Sequence, residues 1–204
     1  DASGGATLVG IDGLTLNGNV RVRKNATGAT VDETIGGAHV LFEAGEEDLT
    51  SVTGSLNLDV NGFATVSGDF AFDKTSTTTG TVTESKLRVG VNHVNAFFGD
   101  PGADLVSDAD DTGLRITEGS LGLVVLNTTD TALTTQAPST YALTAAGAAA
   151  LVGIDGLTLD GSVSLRKNTT GDVVDETIGG VTVKFDAGEE DLTSVTGNLN
   201  LDVN

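Results

Sequence analysis

The chain has 204 residues, with 28 Gly but only 2 Pro and no Cys, Met or Trp, which excludes disulfide staples and thiol chemistry. A formal net charge of −19, from 29 acidic against 10 basic residues, repels phosphate backbones and anionic lipid, so no nucleic-acid partner is expected. A hydrophobic share of 38% supports a folded core, yet no apolar run reaches the ~18 residues of a membrane helix, so no membrane insertion is expected.

From the N-terminus, apolar and polar residues alternate through Leu8, Leu14, Leu16, Val20 and Val22, the period of a strand. Gly10-Ile-Asp-Gly13 interrupts the alternation as a bulge or tight bend would. Asn25-Ala-Thr27 is a formal glycosylation sequon, as are Asn127-Thr-Thr129 and Asn168-Thr-Thr170, but in a Thr-rich chain such triplets arise by chance. A strand is expected at Ala38–Phe42, followed by an acidic loop carrying Glu43, Glu46, Glu47 and Asp48. Four carboxylates so close repel one another unless solvated or bridged by a cation; without fixed ligand spacing, a solvated loop is the expectation.

Over Val52–Phe72 the even positions are apolar or Gly and the odd ones almost all polar. Asn61-Gly62 suggests a two-residue hairpin turn, but that turn would set Leu58 opposite Thr65. A three-residue connection, Asn61-Gly62-Phe63, pairs 58 with 66 and 56 with 68 and keeps the apolar face together. One uninterrupted strand would also preserve parity, at a length of roughly 70 Å; the hairpin is preferred. Thr75–Thr83 is read as an exposed loop rather than an ice- or glycan-binding face, and Lys86–Phe97 as a strand whose apolar phase slips at Asn92-His93.

Asp108-Ala-Asp110-Asp111-Thr112-Gly113 has carboxylates, a hydroxyl and a glycine spaced as at the start of an EF-hand calcium loop. Hard oxygen donors on alternate residues converge on one ion where Gly lets the chain turn. Asp100 and Asp104 lie near enough in sequence to add ligands, but position 12 is Gly119 with Glu118 one place early, so two readings stand: a calcium site, calcium then being the one cofactor, or a solvated acidic turn. Further strands are expected at Gly113–Ile116, Ser120–Leu126 and through Tyr141–Leu165, where Gly153-Ile-Asp-Gly156 makes the same interruption as before. No segment has a 3.6-residue period, so little or no helix is expected.

Residues 151–204 repeat residues 8–61 at an offset of 143 without a gap, with 42 of 54 positions identical. Residues 1–143 are therefore read as one full unit and 144–204 as the first part of the next, with further copies expected in a longer parent. The second acidic loop is Asp186, Glu189, Glu190 and Asp191. The pairs Asp12/Asp155, Arg23/Arg166 and Asp32-Glu33/Asp175-Glu176 persist, whereas Arg21 becomes Ser164, Leu41 becomes Lys184 and His39 becomes Thr182. His39 and His93 are the only near-neutral bases, and neither lies in a nucleophile or zinc motif, so no catalytic residue and no enzyme activity are expected.

The segments GFATVSGDFAF (62–72), SKLRVGVNHVNAFFGD (85–100), DDTGLRITEGSLGLVVL (110–126), YALTAAGAAALVGIDGLTLDGSVSLRKN (141–168) and VDETIGG (174–180) resemble repeats of giant bacterial surface or secreted proteins, of the hemolysin-type calcium-binding or adhesin-like kind. The resemblance covers essentially the whole chain and implies an extracellular or cell-surface location and an extended β-fold, with no catalytic residues. The glycine-rich nonapeptide GGxGxDxUx of RTX repeats does not occur. The expected fold is all-β and elongated: a β-solenoid or superhelical antiparallel sheet, with tandem β-sandwich modules as the alternative. The expected function is a structural repeat of an extracellular fibre, stalk or adhesin shaft, rigidified by calcium and joined end to end to neighbouring repeats or identical chains. The alternative is an extracellular module that binds glycans or a host surface.

Overall fold

The structure, a computed structural model, describes residues 1–7, 14–60, 63–100 and 111–203. The described residues are all-β: β1 (Ala2–Thr7), β2 (Leu14–Lys24), β3 (Val31–Ile35), β4 (Ala38–Phe42), β5 (Thr50–Val60), β6 (Ala64–Thr79), β7 (Val82–Asp100), β8 (Thr112–Asp130), β9 (Thr140–Val152), β10 (Leu157–Asn168), β11 (Val174–Ile178), β12 (Val181–Phe185) and β13 (Thr193–Val203). Nine of these form one antiparallel sheet in the order β1-β2-β5-β6-β7-β8-β9-β10-β13. The sheet does not close, and β1 and β13 are its two edges. β3–β4 and β11–β12 are separate two-stranded hairpins. No helix of the described residues is long and apolar enough to cross a membrane.

The register follows the apolar parity. β5 and β6 pair Val60 with Ala64, Leu58 with Val66 and Leu56 with Gly68, as a three-residue connection requires. The uninterrupted strand is thereby excluded. The phase slip expected at Asn92-His93 is a bulge: the β7–β8 register shifts between Val91 and Val94, with His93 at φ 51°. Neighbouring strands share the irregularity, β6 between Ser67 and Asp69 and β8 between Thr117 and Ser120.

One expectation is overturned. The threonine-rich run 75–83 is not a loop but the end of the β6–β7 ladder, closed by the two-residue turn Gly80-Thr81 after the pair Thr79–Val82. Threonine is β-branched and fits a pleated surface, and Gly80 at φ 62° supplies the left-handed turn conformation. Gly153–Gly156 is a tight bend between β9 and β10, in which the amide of Leu157 donates to the carbonyl of Ile154 at 3.1 Å. Its earlier copy, Gly10–Gly13, lies outside the described residues.

The elements of the second copy recur at the 143-residue offset. β10, β11, β12 and β13 answer to β2, β3, β4 and β5, and β9 contains the counterpart of β1. Six strands of the large sheet, β1 to β8 without the hairpin, therefore precede the point where the series restarts. The accessible surface is 12076 Å², about a third above the roughly 9,000 Å² that a compact chain of this mass exposes.

The best-buried cluster does not lie on the sheet face that parity marks as apolar. It lies on the opposite face, where β11–β12 crosses β6, β7, β8 and β9. Val174, Val183 and Phe185 of the hairpin pack there against Val124 and Ala142 of the sheet, with Leu126 and Leu192 at the margin. The apolar face is only half-covered, and at the β13 end Val195, Leu199 and Leu201 are open to solvent.

Candidate functional site

A constellation at the root holds both hairpins in place, and a second one lies along the underside of β11–β12. The root is the same in both copies. Arg23, near the end of β2, donates to both carboxylate oxygens of Glu46 at 2.6 and 2.8 Å and to the carbonyl of Leu41 at 2.8 Å. Its guanidinium lies over the ring of Phe42, 4.7 Å from the centroid. Arg166 repeats this on Glu189 at 2.7 and 2.8 Å, on the carbonyl of Lys184 and over Phe185 at 4.8 Å. A planar fork that is both stacked and bidentate suits arginine and not lysine.

The asparagine two residues after each arginine completes the root. Buried Asn25 donates from Nδ2 to the carbonyls of Ala29 and Glu46, and its Oδ1 accepts from the amide and hydroxyl of Thr27. Asn168 does the same with Asp172, Glu189 and Thr170. Two of the three sequons are thus structural turns whose amide nitrogen is buried and fully used. Asn127 is exposed on β8.

The acidic loops are consequently not simply solvated. In the first, Glu46 goes to the guanidinium and also accepts from the amide of Glu43, while Glu47 accepts from the amide of Gly45; Glu43 and Asp48 face solvent. In the second, Glu189 and Glu190 take the same roles with the amides of Asp186 and Gly188, and Asp186 and Asp191 are exposed. The hydrogen bonds from Arg166 and then from the Asp186 amide hold the Glu189 carboxyl down at about 2. Arg23 likewise holds Glu46 below the usual range. In each loop one carboxylate, Glu46 or Glu189, is bound by the chain's own arginine. The signal was present in the sequence, since Arg23/Arg166 persists between copies where Arg21 does not.

The underside exists only for the second hairpin. Glu176 on β11 reaches Lys86 and Arg88 of β7, the latter at 3.0 Å. Arg88 in turn holds Asp73 of β6 through two hydrogen bonds of 2.8 and 2.7 Å. Burial pushes the Glu176 carboxyl up, but the bonds from Lys86 and Arg88 outweigh it and leave it below the usual range. Glycines form the floor. A Cβ at Gly90 would overlap the carbonyl oxygen of Ile178, and one at Gly122 would lie 2.5 Å from Val183 and 2.9 Å from Val181.

Of the calcium candidates, Asp104, Asp108 and Asp110 lie outside the described residues. Asp100 and Thr112 are register partners at the end of the β7–β8 ladder. Glu118 stands at the β8 bulge with φ 54°, six residues from Thr112, or roughly 20 Å along a strand, so it is not brought to that pair. Buried Asp111 accepts from Arg115 at 3.0 Å through Oδ2, while its Oδ1 has no partner among the described residues. No group of three or more His, Asp or Glu arranged for a metal occurs among the described residues. His39 and His93 pair with exposed Asp32 and Asp69 at 2.7 and 3.0 Å.

Comparison with protein-family models, with curated proteins and with solved structures finds no match for this chain.

Proposed function

We propose that the chain is a structural repeat of an extracellular bacterial fibre, stalk or adhesin shaft, in which successive 143-residue units prolong one superhelical antiparallel sheet. The observation that carries this reading is the even strand count of the unit. Because β9, β10 and β13 follow β8 as β1, β2 and β5 begin the series, another unit can be added without reversing strand direction. The two open edges and the large accessible surface support an extended assembly over a compact one. As a shaft the chain needs no catalytic centre.

The test is dimensional. Six strands at about 4.8 Å spacing lengthen the particle by roughly 29 Å per added unit, less the effect of twist, and unfolding free energy rises by a constant step per unit. Small-angle scattering on chains of two, three and four units reads the first. A maximum dimension that does not grow with unit number sinks the reading.

Calcium belongs to the proposal as a stiffening ion at the acidic segment 100–112. The buried Asp111 Oδ1, without a partner among the described residues, supports it, with Asp100, Thr112, Asp104, Asp108 and Asp110 as candidate donors. A melting temperature indifferent to millimolar calcium removes this part.

One observation favours a second reading, a glycan- or surface-binding module. On the face that carries the hairpin, beyond its reach, an open groove of about 480 Å³ runs over Asn17, Asn57, Ser67 and Asn95. These four are side by side in register across β2, β5, β6 and β7. A glycan array without hits, together with filaments under the electron microscope, decides for the shaft.

A further inference from the structure

The two hairpins share their inward residues and differ in their surroundings. Along β11–β12 these are Val174, Glu176, Ile178, Val181, Val183 and Phe185; along β3–β4 they are Val31, Glu33, Ile35, Ala38, Val40 and Phe42. Ile178 is 8% exposed and its counterpart Ile35 71%, while Val183 is fully buried and Val40 half-buried. Phe42, held by Arg23, alone stays as buried as its counterpart. The cause is topological. Each hairpin leaves the sheet after its second strand and folds back over the strands that precede it. β11–β12 finds β6–β9 there, whereas β3–β4 reaches past the edge strand β1.

From this we infer that the inward face of β3–β4 is a docking surface whose occupant is a second copy of the β6–β9 sheet, belonging to a preceding 143-residue unit. The inference rests on the tandem-array part of the proposed function and adds how the units are joined. The docked hairpin supplies the template. Ile35 seats over a Gly90 equivalent, Val40 and Ala38 over a Gly122 equivalent, and Glu33 meets a Lys86–Arg88 pair in a chain otherwise dominated by acid. The copies differ mostly where this scheme has no demand: His39/Thr182 and Leu41/Lys184 point outward, and the single inward change, Ala38/Val181, stays apolar. Each unit is then secured twice to the one before it, by strand pairing at the edge and by a hairpin laid backwards across four strands.

The test extends the full chain at its N-terminus with a copy of residues 62–143, which restores the strands upstream of β1 in natural order. Hydrogen–deuterium exchange is read at 2–7, 31–42 and 174–185. The expected result is that 31–42 slows by roughly tenfold or more, toward the rate of 174–185, and that Ile35→Asp in the extended chain abolishes the gain while 174–185 stays protected. Protected 174–185 reports a folded molecule throughout. If 2–7 gains protection but 31–42 does not, the hairpin inference is overturned and the continuous sheet stands. If neither gains, both fall.

Discussion

The hairpins β3–β4 and β11–β12 are nearly the same peptide, with the same turn glycines and the same arginine clamp, yet one is part of the core and the other overhangs an edge. The difference separates what a segment specifies by itself from what it must find elsewhere. Strand pairing, the left-handed Gly36-Gly37 and Gly179-Gly180 turns and the Arg–Phe–Glu root form in both copies, because every participant lies within the same short stretch. Burial of the aliphatic side chains forms only where a sheet passes beneath.

The comparison can be broken at matched positions. Val183→Asp puts a carboxylate into the driest part of the cluster with no cation beside it, so a loss of more than about 3 kcal/mol is expected by urea denaturation. The matched Val40→Asp should cost less than about 1 kcal/mol. Next in size, Ile178→Ala should cost about 2–4 kcal/mol and Ile35→Ala less than about 0.5. Equal costs at either pair would mean that the first hairpin is already seated on something in the isolated chain.

The clamp should show the opposite behaviour. Arg23→Ala and Arg166→Ala remove the same contacts in both copies, so their losses should agree to within about 0.5 kcal/mol. The smallest effect is the pH dependence of the docked side. The Glu176 carboxyl is held below its ordinary value of 4.5, so its ionised form stabilises the fold; that contribution is present above pH 4.5 and lost as pH falls through the depressed value. The urea midpoint of Glu176→Gln should therefore lie below that of the native chain at neutral pH and converge with it in acid.

Much of the fold was legible because strand parity is a strong constraint: a one-residue slip would have moved Leu56 and Leu58 to the wrong face, so the three-residue turn was readable although Asn-Gly advertises a shorter one. Thr75–Thr83 was misread because polarity was taken for looseness, when β-branched threonines pair well at a hairpin tip. The position of the buried cluster was not legible for a related reason. Parity within one strand ranks its two faces, but Gly90 and Gly122 mark a contact that depends on a hairpin some 90 residues away for Gly90 and Ile178. The site was legible only in part, as charges that persist between the copies, among them Arg23 and the acid at Glu176. That Arg23 meets Glu46, and that Glu176 meets Lys86, which has no second copy in the chain, needed the topology.

The connection between β2 and β5 has a mechanical consequence. Neighbours such as β5–β6, β6–β7 and β9–β10 are joined by only two to four residues, so pulling either of such a pair from the other frees little chain. β2 and β5 are instead joined by residues 25–49, which hold the whole hairpin. Parting those strands would pay out roughly 80–90 Å of extended polypeptide. The mouth of that stored length is closed by the Asn25 amide on the Leu49 carbonyl at 2.9 Å and by Arg23 on Glu46. Under tension along the sheet, the β2–β5 ladder and the bonds at this mouth together set the force at which a unit begins to lengthen.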